Sequence, residues 1–453
     1  MAQFSVTTVI RTSSRLLLAF FLLLTPMLNA DPGFVKTSGM NLTRNGKKYT
    51  FMGANFWYGM NLGMSDPARL RRELDRLKKI GVKNLRILAA TEGPDSEPWR
   101  IVPSLQPYPG VFNENLLQGL DLLLVEMAKR DMTAVVVLGN YWQWSGGFGQ
   151  YVSWAKGTAI PYPEFDPEAR GGSDQTFYSW WRWFRYNYYV TRFYSNPVAV
   201  GYYQNYVRMI LQRKNSYSGI AYKNDPTIMS WQLANEPAGF FSGDSYDKWI
   251  ADSAALIKAI DHNHLVSTGA MGEVFQFSGN DQIKNNTHKD IDYTTVHIWV
   301  QNSGLYNPFK AEETYPKGVE VLHKQLVQHR EMAAKLGKPL VFEEFGFSRD
   351  LNRFAAGTPV TLRDLFYAEA FRHVTESQRT DAPIAGVNIW AWGGEDRPAQ
   401  IRWQPGDSFI GDPPHEAQGW YSVYDSDAST LKLIREVAGR LSATGLARQA
   451  HHK

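Results

Sequence analysis

The sequence predicts a (β/α)8 TIM barrel, and three observations carry that prediction. Eight short, β-rich apolar runs recur along the chain. Amphipathic stretches with helix start and stop signals lie between them. Acidic and aromatic side chains gather where the runs end, which is where such a barrel presents its reactive groups. The chain has 453 residues, well above the ~250 typical of the fold. Most of the surplus falls in the Gly- and Trp-rich stretch 139–196. One barrel with an enlarged loop region after its third strand is therefore expected.

The amino terminus reads as an address rather than as fold. Arg11 and Arg15 precede the apolar run Leu16–Leu24, and a small residue, Ala30, closes the segment. This is the layout of a secretory signal peptide over residues 1–30. The run is too short for a hydrocarbon core that needs about 20 apolar residues. The expected products are a secreted catalytic domain over 31–445 and a short tail over 446–453, with no membrane association.

After the leader, Asn45-Gly46 predicts a hairpin turn in an opening β flap. The β runs are Phe51–Phe56, Asn84–Ala89, Thr133–Leu138, Ile228–Ala234, Leu265–Thr268, Thr294–Ile298, Leu340–Phe345 and Ile384–Trp390. Asp66-Pro67 caps and opens a helix that runs to Ile80 and stops at Gly81. Asn113 caps a helix through Arg130, and Asn196-Pro197 opens one through Arg213. Further helical patterns cover Tyr246–Ile260, Gly318–Leu336, Leu362–Glu376 and Thr430–Leu441. An open doubly wound sheet fits less well, because no G-x-G-x-x-G follows the first run.

Composition removes several functions. The formal charge of +4 is small and unclustered, so there is no basic stripe for nucleic acid. The absence of cysteine removes disulfides, thiolate metal sites and a cysteine nucleophile. No H-E-x-x-H or dense His/Asp grouping points to a catalytic metal, and no G-x-S-x-G to a serine hydrolase. No cofactor is expected. Aromatic residues make up 14% of the chain. Trp142, Trp144, Trp154, Trp180, Trp181 and Trp183 crowd the long loop region; flat rings suit sugar faces, although at least half are expected to be structural.

Two acidic sites each terminate a β run. Trp231-Gln-Leu-Ala-Asn-Glu-Pro237 places Glu236 after the fourth, and Leu340-Val-Phe-Glu-Glu-Phe-Gly346 places Glu343 and Glu344 at the end of the seventh. Across a barrel mouth they can face each other, as glycoside hydrolysis requires of its two carboxyls. Taken alone, Asn-Glu-Pro is an ordinary helix start. Arg86, Asn140, His297, Trp299, Trp390 and Trp392 also fall at strand ends. An arginine there would keep a carboxylate ionised, and a histidine could orient it.

These motifs, in order, resemble a known family. Gly53-Ala-Asn-Phe-Trp-Tyr-Gly59, Asn84-Leu-Arg-Ile-Leu88, Asn140-Tyr-Trp-Gln-Trp-Ser-Gly-Gly147, the Asn-Glu-Pro site, His297-Ile-Trp299, Glu344-Phe-Gly346, Asn388-Ile-Trp-Ala-Trp-Gly393, Gly411-Asp-Pro-Pro414 and Gly419-Trp-Tyr-Ser-Val423 look like the endo-β-1,4-mannanase branch of glycoside hydrolase family 5. The resemblance implies a retaining, metal-independent hydrolase of mannan, galactomannan or glucomannan. It implies Glu236 as acid/base and Glu344 as nucleophile, with Glu343 secondary. Asn235 would hold the sugar 2-hydroxyl, Arg86 and His297 would order the carboxylates, and Trp390 would form the platform. Trp299 would lie near the nucleophile, Trp99 would supply a further ring, and Asn140 and Trp142 would join the substrate-binding set. Ala238 stands where many members have Arg, and Ser303 where many bacterial members have Trp; both bear on the leaving-group side. The protein is expected to act as a monomer. Rival readings are hydrolysis of another β-1,4-glycan, release of mannose from chain ends, and a carbohydrate-binding barrel without catalysis. The last would be marked by a missing carboxyl, and both glutamates are present.

Overall fold

The computed structural model describes residues 33–162, 180–274 and 278–447. The expected signal peptide and most of the expected tail lie outside them. Eight parallel strands form the centre: β1 (Phe51–Asn55), β2 (Asn84–Leu88), β3 (Thr133–Val137), β4 (Ile228–Gln232), β5 (Leu265–Ser267), β6 (Thr294–Ile298), β7 (Leu340–Phe345) and β8 (Ile384–Ile389). The hydrogen-bonded ladder runs β5-β4-β3-β2-β1-β8-β7-β6 without a break. Every residue of these strands is buried, so none shows the solvent-facing polar alternation of a half-exposed strand.

The barrel closes between β5 and β6 by separate hydrogen bonds. Asp292 N donates to Val266 O at 2.8 Å and His297 N to Met271 O at 3.1 Å. The Thr295 hydroxyl donates to Ala270 O at 2.6 Å. An antiparallel sheet of three short strands precedes β1, with Asn45 and Gly46 both at positive φ, 53° and 69°, in its second turn.

The expected helices form, and their caps are the side chains the sequence offers. Asp66, Asn113 and Asn196 each accept from backbone N–H groups of the first turn they precede, satisfying donors that the helix itself cannot. The stretch 139–196, expected as a loop region, is partly helical among its described residues. It holds helices Gly147–Lys156 and Trp180–Thr191. Tyr186, Tyr189, Val190 and Phe193 are all buried, an i, i+3, i+4, i+7 pattern that neighbouring Trp, Tyr and Arg residues obscure. The helix expected from Gly318 begins at Ala311 and contains Pro316. That proline is exposed, where water can serve the carbonyl left without its donor.

Candidate active site

The strands deliver six polar groups to one end of the barrel. Arg86 lies on β2, His297 on β6 and Glu344 on β7, while Asn140, Asn235 and Glu236 follow β3 and β4. Glu344 pairs with His297 in the β6–β7 ladder, and the register shifts between Phe342 and Glu344. Glu343 is the extra residue. A bulge of this kind re-aims side chains, so both adjacent glutamates reach inward where a regular strand would send one outward. Glu236 has φ +49°, a left-handed conformation that costs a non-glycine residue energy and is characteristic of functional positions.

Arg86, buried inside the barrel, organises the centre. Its Nη1 donates to Glu344 Oε1 and, at 3.1 Å, to Asn55 Oδ1. Its Nη2 donates to Asn235 Oδ1 at 2.8 Å, and its Nε to Gln232 Oε1 at 2.7 Å. Asn235 in turn donates to Asn140 Oδ1 at 3.2 Å. Glu236 is served from three sides. The Trp142 indole donates to its Oε2 at 2.6 Å, the Trp299 indole to its Oε1 at 3.3 Å, and His297 Nδ1 stands 2.9 Å from Oε1. The same Nδ1 is 3.3 Å from Glu344 Oε2, so one imidazole links the two carboxyls.

Glu343 lies behind them. Its Oε2 is 3.6 Å from both Arg86 Nε and His297 Nε2 and accepts from Gln232 Nε2 at 2.8 Å. Burial alone would push the His297 imidazole down. The charge of Glu344 and hydrogen bonds to Glu236, Glu343 and Glu344 outweigh it and raise the imidazole well above its ordinary value, so His297 carries a proton. Burial would likewise raise Glu236. The hydrogen bond and charge of His297, the Trp142 N–H and Arg86 prevail and hold its carboxyl below the usual range. A simple pair of repelling acids would have raised it; the histidine between them reverses the sign.

Aromatic rings wall the pocket, which is lined by Trp57, Arg86, Leu88, Trp144, Asn235 and Trp390. Trp299 meets Trp390 edge to face at 5.9 Å and Tyr421 at 5.1 Å. Gly346 makes this packing feasible: a Cβ there would lie 2.9 Å from the Trp299 ring and 3.0 Å from the Trp390 carbonyl. Trp99 is half-buried on the loop after β2, with φ +63°. Of the other tryptophans in the long loop region, Trp144 is buried, Trp154 and Trp183 are half-buried, and Trp181 is exposed; the side chain of Trp180 lies outside the described ones. Ala238 is buried at 3% exposure, whereas Ser303 is exposed.

Two neighbours, His415 and Glu416, escaped the sequence reading, and Trp144 was placed there only among the loop tryptophans. Trp144 stacks parallel to His415 at 6.2 Å and approaches Trp390 at 6.3 Å. Glu416 is a further acid that feels the pair; burial, then the charges of Asp412, Glu344 and Glu236, raise its carboxyl well above the ordinary value. The motif Gly411-Asp-Pro-Pro414 directly preceding them was the available signal. Glu236, His297 and Glu344 also place ligand atoms within 4.8 Å of one another, a spacing a metal ion could use. Here the Arg86 guanidinium and the imidazole proton already occupy those lone pairs.

Residues 32–445 match the family model described as glycoside hydrolase family 5, β-mannosidase-like. The chain belongs to that family. Among similar family 5 proteins, a mannosidase from Rhizomucor miehei is 36% identical, with a TM-score of 0.82 over 92% of this chain and 100% of that one. Mannan endo-1,4-β-mannosidase 4 of Solanum lycopersicum is 30% identical over 80% of this chain and 84% of its own length. An endo-β-1,4-mannanase from Thermotoga petrophila, 24% identical with a TM-score of 0.64 over 88% of this chain and 78% of that one, shares the fold. The chain is a glycoside hydrolase.

Proposed function

We propose that this family 5 enzyme is a retaining endo-β-1,4-mannanase, with Glu344 as nucleophile and Glu236 as acid/base. One observation carries the reading: carboxylate oxygens of Glu236 and Glu344 lie within 4.8 Å, with His297 between them. Retaining enzymes hold their carboxyls about 5–5.5 Å apart, whereas inverting ones need about 6.5–9.5 Å to admit a water. Arg86, through its hydrogen bond to Oε1, keeps Glu344 aimed into the site. Glu344 attacks the anomeric carbon as Glu236 protonates the departing oxygen, leaving a glycosyl ester. Glu236 then takes a proton from water, which attacks the same carbon and releases Glu344. At rest the proton sits on His297, and it reaches Glu236 along their 2.9 Å contact. Asn235, fixed by Arg86 and Asn140, is the donor for the sugar 2-hydroxyl, and Trp390 is the platform beneath the ring.

The curated mannan endo-1,4-β-mannosidases support mannan as substrate and internal cleavage as mode. Release of mannose from chain ends has its own support, since the 36% identical relative is named a mannosidase. Incubation with mannan, glucomannan and a soluble cellulose, with products chromatographed over time, separates the readings. Early oligosaccharides from mannan are expected, with much weaker action on cellulose. Mannose alone from the first minutes would establish the exo mode, and equal cellulose turnover would overturn the substrate. The leader-like segment supports export, which amino-terminal sequencing of protein recovered outside the cytoplasm tests.

A further inference from the structure

Glu92 lies on the loop after β2, fully buried, and the mechanism above does not use it. Its Oε2 accepts from Gly147 N at 2.8 Å, the first N–H of the ten-residue helix Gly147–Lys156. Its own backbone N–H donates to Ser145 O at 2.7 Å. Its carbonyl accepts from Arg100 Nη1 at 2.8 Å and packs so closely on Gly146 that a Cβ there would overlap it. The turn from Asn140 to Gly147 is thus clamped from beneath by one residue. Asn140 braces it from within: its Oδ1 accepts from Trp142 N at 3.0 Å, its Nδ2 donates to Ser145 Oγ at 3.1 Å, and its carbonyl accepts from Phe148 N at 2.8 Å. The turn delivers the Trp142 indole to Glu236.

We infer that Glu92 is a positioning residue for general acid catalysis, acting through Gly147 and the turn to hold Trp142 on Glu236. Burying a carboxyl among tyrosines is costly, and burial pushes Glu92 up to about 7, against the pull of Gly147 N–H, Tyr151 and Arg100. An apolar residue would fill the same space without that cost. What it would lack is an acceptor for the helix's first N–H, and with it the fixed entry angle of the turn.

The inference rests on Glu236 being the acid, so the test separates the two. Two mannosides are compared, one with a poor alkyl leaving group and one with an activated aryl group that departs without a proton. Glu92→Asp withdraws the acceptor by one methylene. It should lower kcat/KM for the poor leaving group roughly 10- to 100-fold, the scale of a small misplacement of a catalytic group, and spare the aryl substrate. Glu92→Gln keeps the acceptor within reach and should restore both rates. Trp142→Phe should show the same selective loss, with Glu92→Asp adding little on top of it. Should the aspartate variant not fold, Glu92→Met removes the acceptor at similar volume. Equal losses on both substrates, or losses that multiply with Trp142→Phe, would overturn the inference. Glu236→Gln measured alongside checks the underlying assignment: if it fails to discriminate between the substrates, that assignment falls first.

Discussion

Replacing His297 with glutamine tests the electrostatics of the pair most directly. The imidazole is buried and joins Glu236 at 2.9 Å to Glu344 at 3.3 Å. Its raised pKa means the folded protein keeps this proton as pH rises past the ordinary value of 6.5 and loses it only on passing the higher folded value. The enzyme therefore retains the proton needed for leaving-group departure above pH 6.5. Glutamine preserves a donor of similar reach but cannot store a proton, so the catalytic proton must then reside on Glu236 alone. Ordinary histidine and glutamate values differ by about two pH units; His297 stands above its ordinary value and burial raises Glu236 once the imidazole is gone, so the basic limb of kcat/KM should fall by on the order of that difference. At pH 7 the variant should run about 100-fold slower than the parent, with the gap closing toward pH 5. The assay is a pH–rate profile on a soluble manno-oligosaccharide, with thermal melts at each pH. Melts matter because the raised histidine also contributes stability, present below pH 6.5 and lost as pH rises through the folded value. A variant whose basic limb coincides with the parent's would refute the proton-storage argument.

Other perturbations give sharper yes-or-no outcomes. Glu344→Ala should abolish turnover, and a 2-fluoro mannoside should label the peptide at Glu344; mass spectrometry finding the label on Glu343 would reverse the assignment. Gly346→Ala forces a methyl against Trp299 and the Trp390 carbonyl and should cost about 1–3 kcal/mol, read in a denaturant melt, together with a fall in kcat. Ala238→Arg, which an open leaving-group cleft would welcome, should instead lower Tm markedly, because the position is buried and an unpaired buried charge costs several kcal/mol; an unchanged Tm would show that the side chain escapes to solvent.

Much of this molecule is legible in its residues. All eight strands sit where the β-rich runs place them, because strands covered on both faces are rich in apolar and β-branched residues and lack solvent-facing alternation. Asp66, Asn113 and Asn196 announce helix starts because their side chains do the capping. Glu236 could be located from Asn-Glu-Pro at a strand end, but its left-handed φ could not, since no local residue pattern demands it. Choosing between Glu343 and Glu344 needed a family likeness, because only a bulge in β7 explains why both face inward. The lowered pKa of Glu236 is harder to read from sequence. Repulsion between two carboxyls is a sequence-level idea, whereas the intervening imidazole is a product of the β6–β7 register. Trp144, Glu416 and Glu92 matter through three-dimensional neighbours contributed by distant loops.

The join between β5 and β6 has a meaning beyond closure. Seven of the eight strand contacts are ladders, and the eighth is held by isolated bonds, among them those from Asp292, Thr295 and His297 and the one from Val266 N to the Asp292 carboxylate. A cylinder with one stitched edge opens there first, and amides at the stitches should exchange with solvent deuterium sooner than those inside the ladders. One stitch is the backbone N–H of His297 itself. Any breathing of the seam is thus felt by the imidazole that links the two carboxyls, placing the most deformable line of the wall beside the group whose position fixes where the catalytic proton rests.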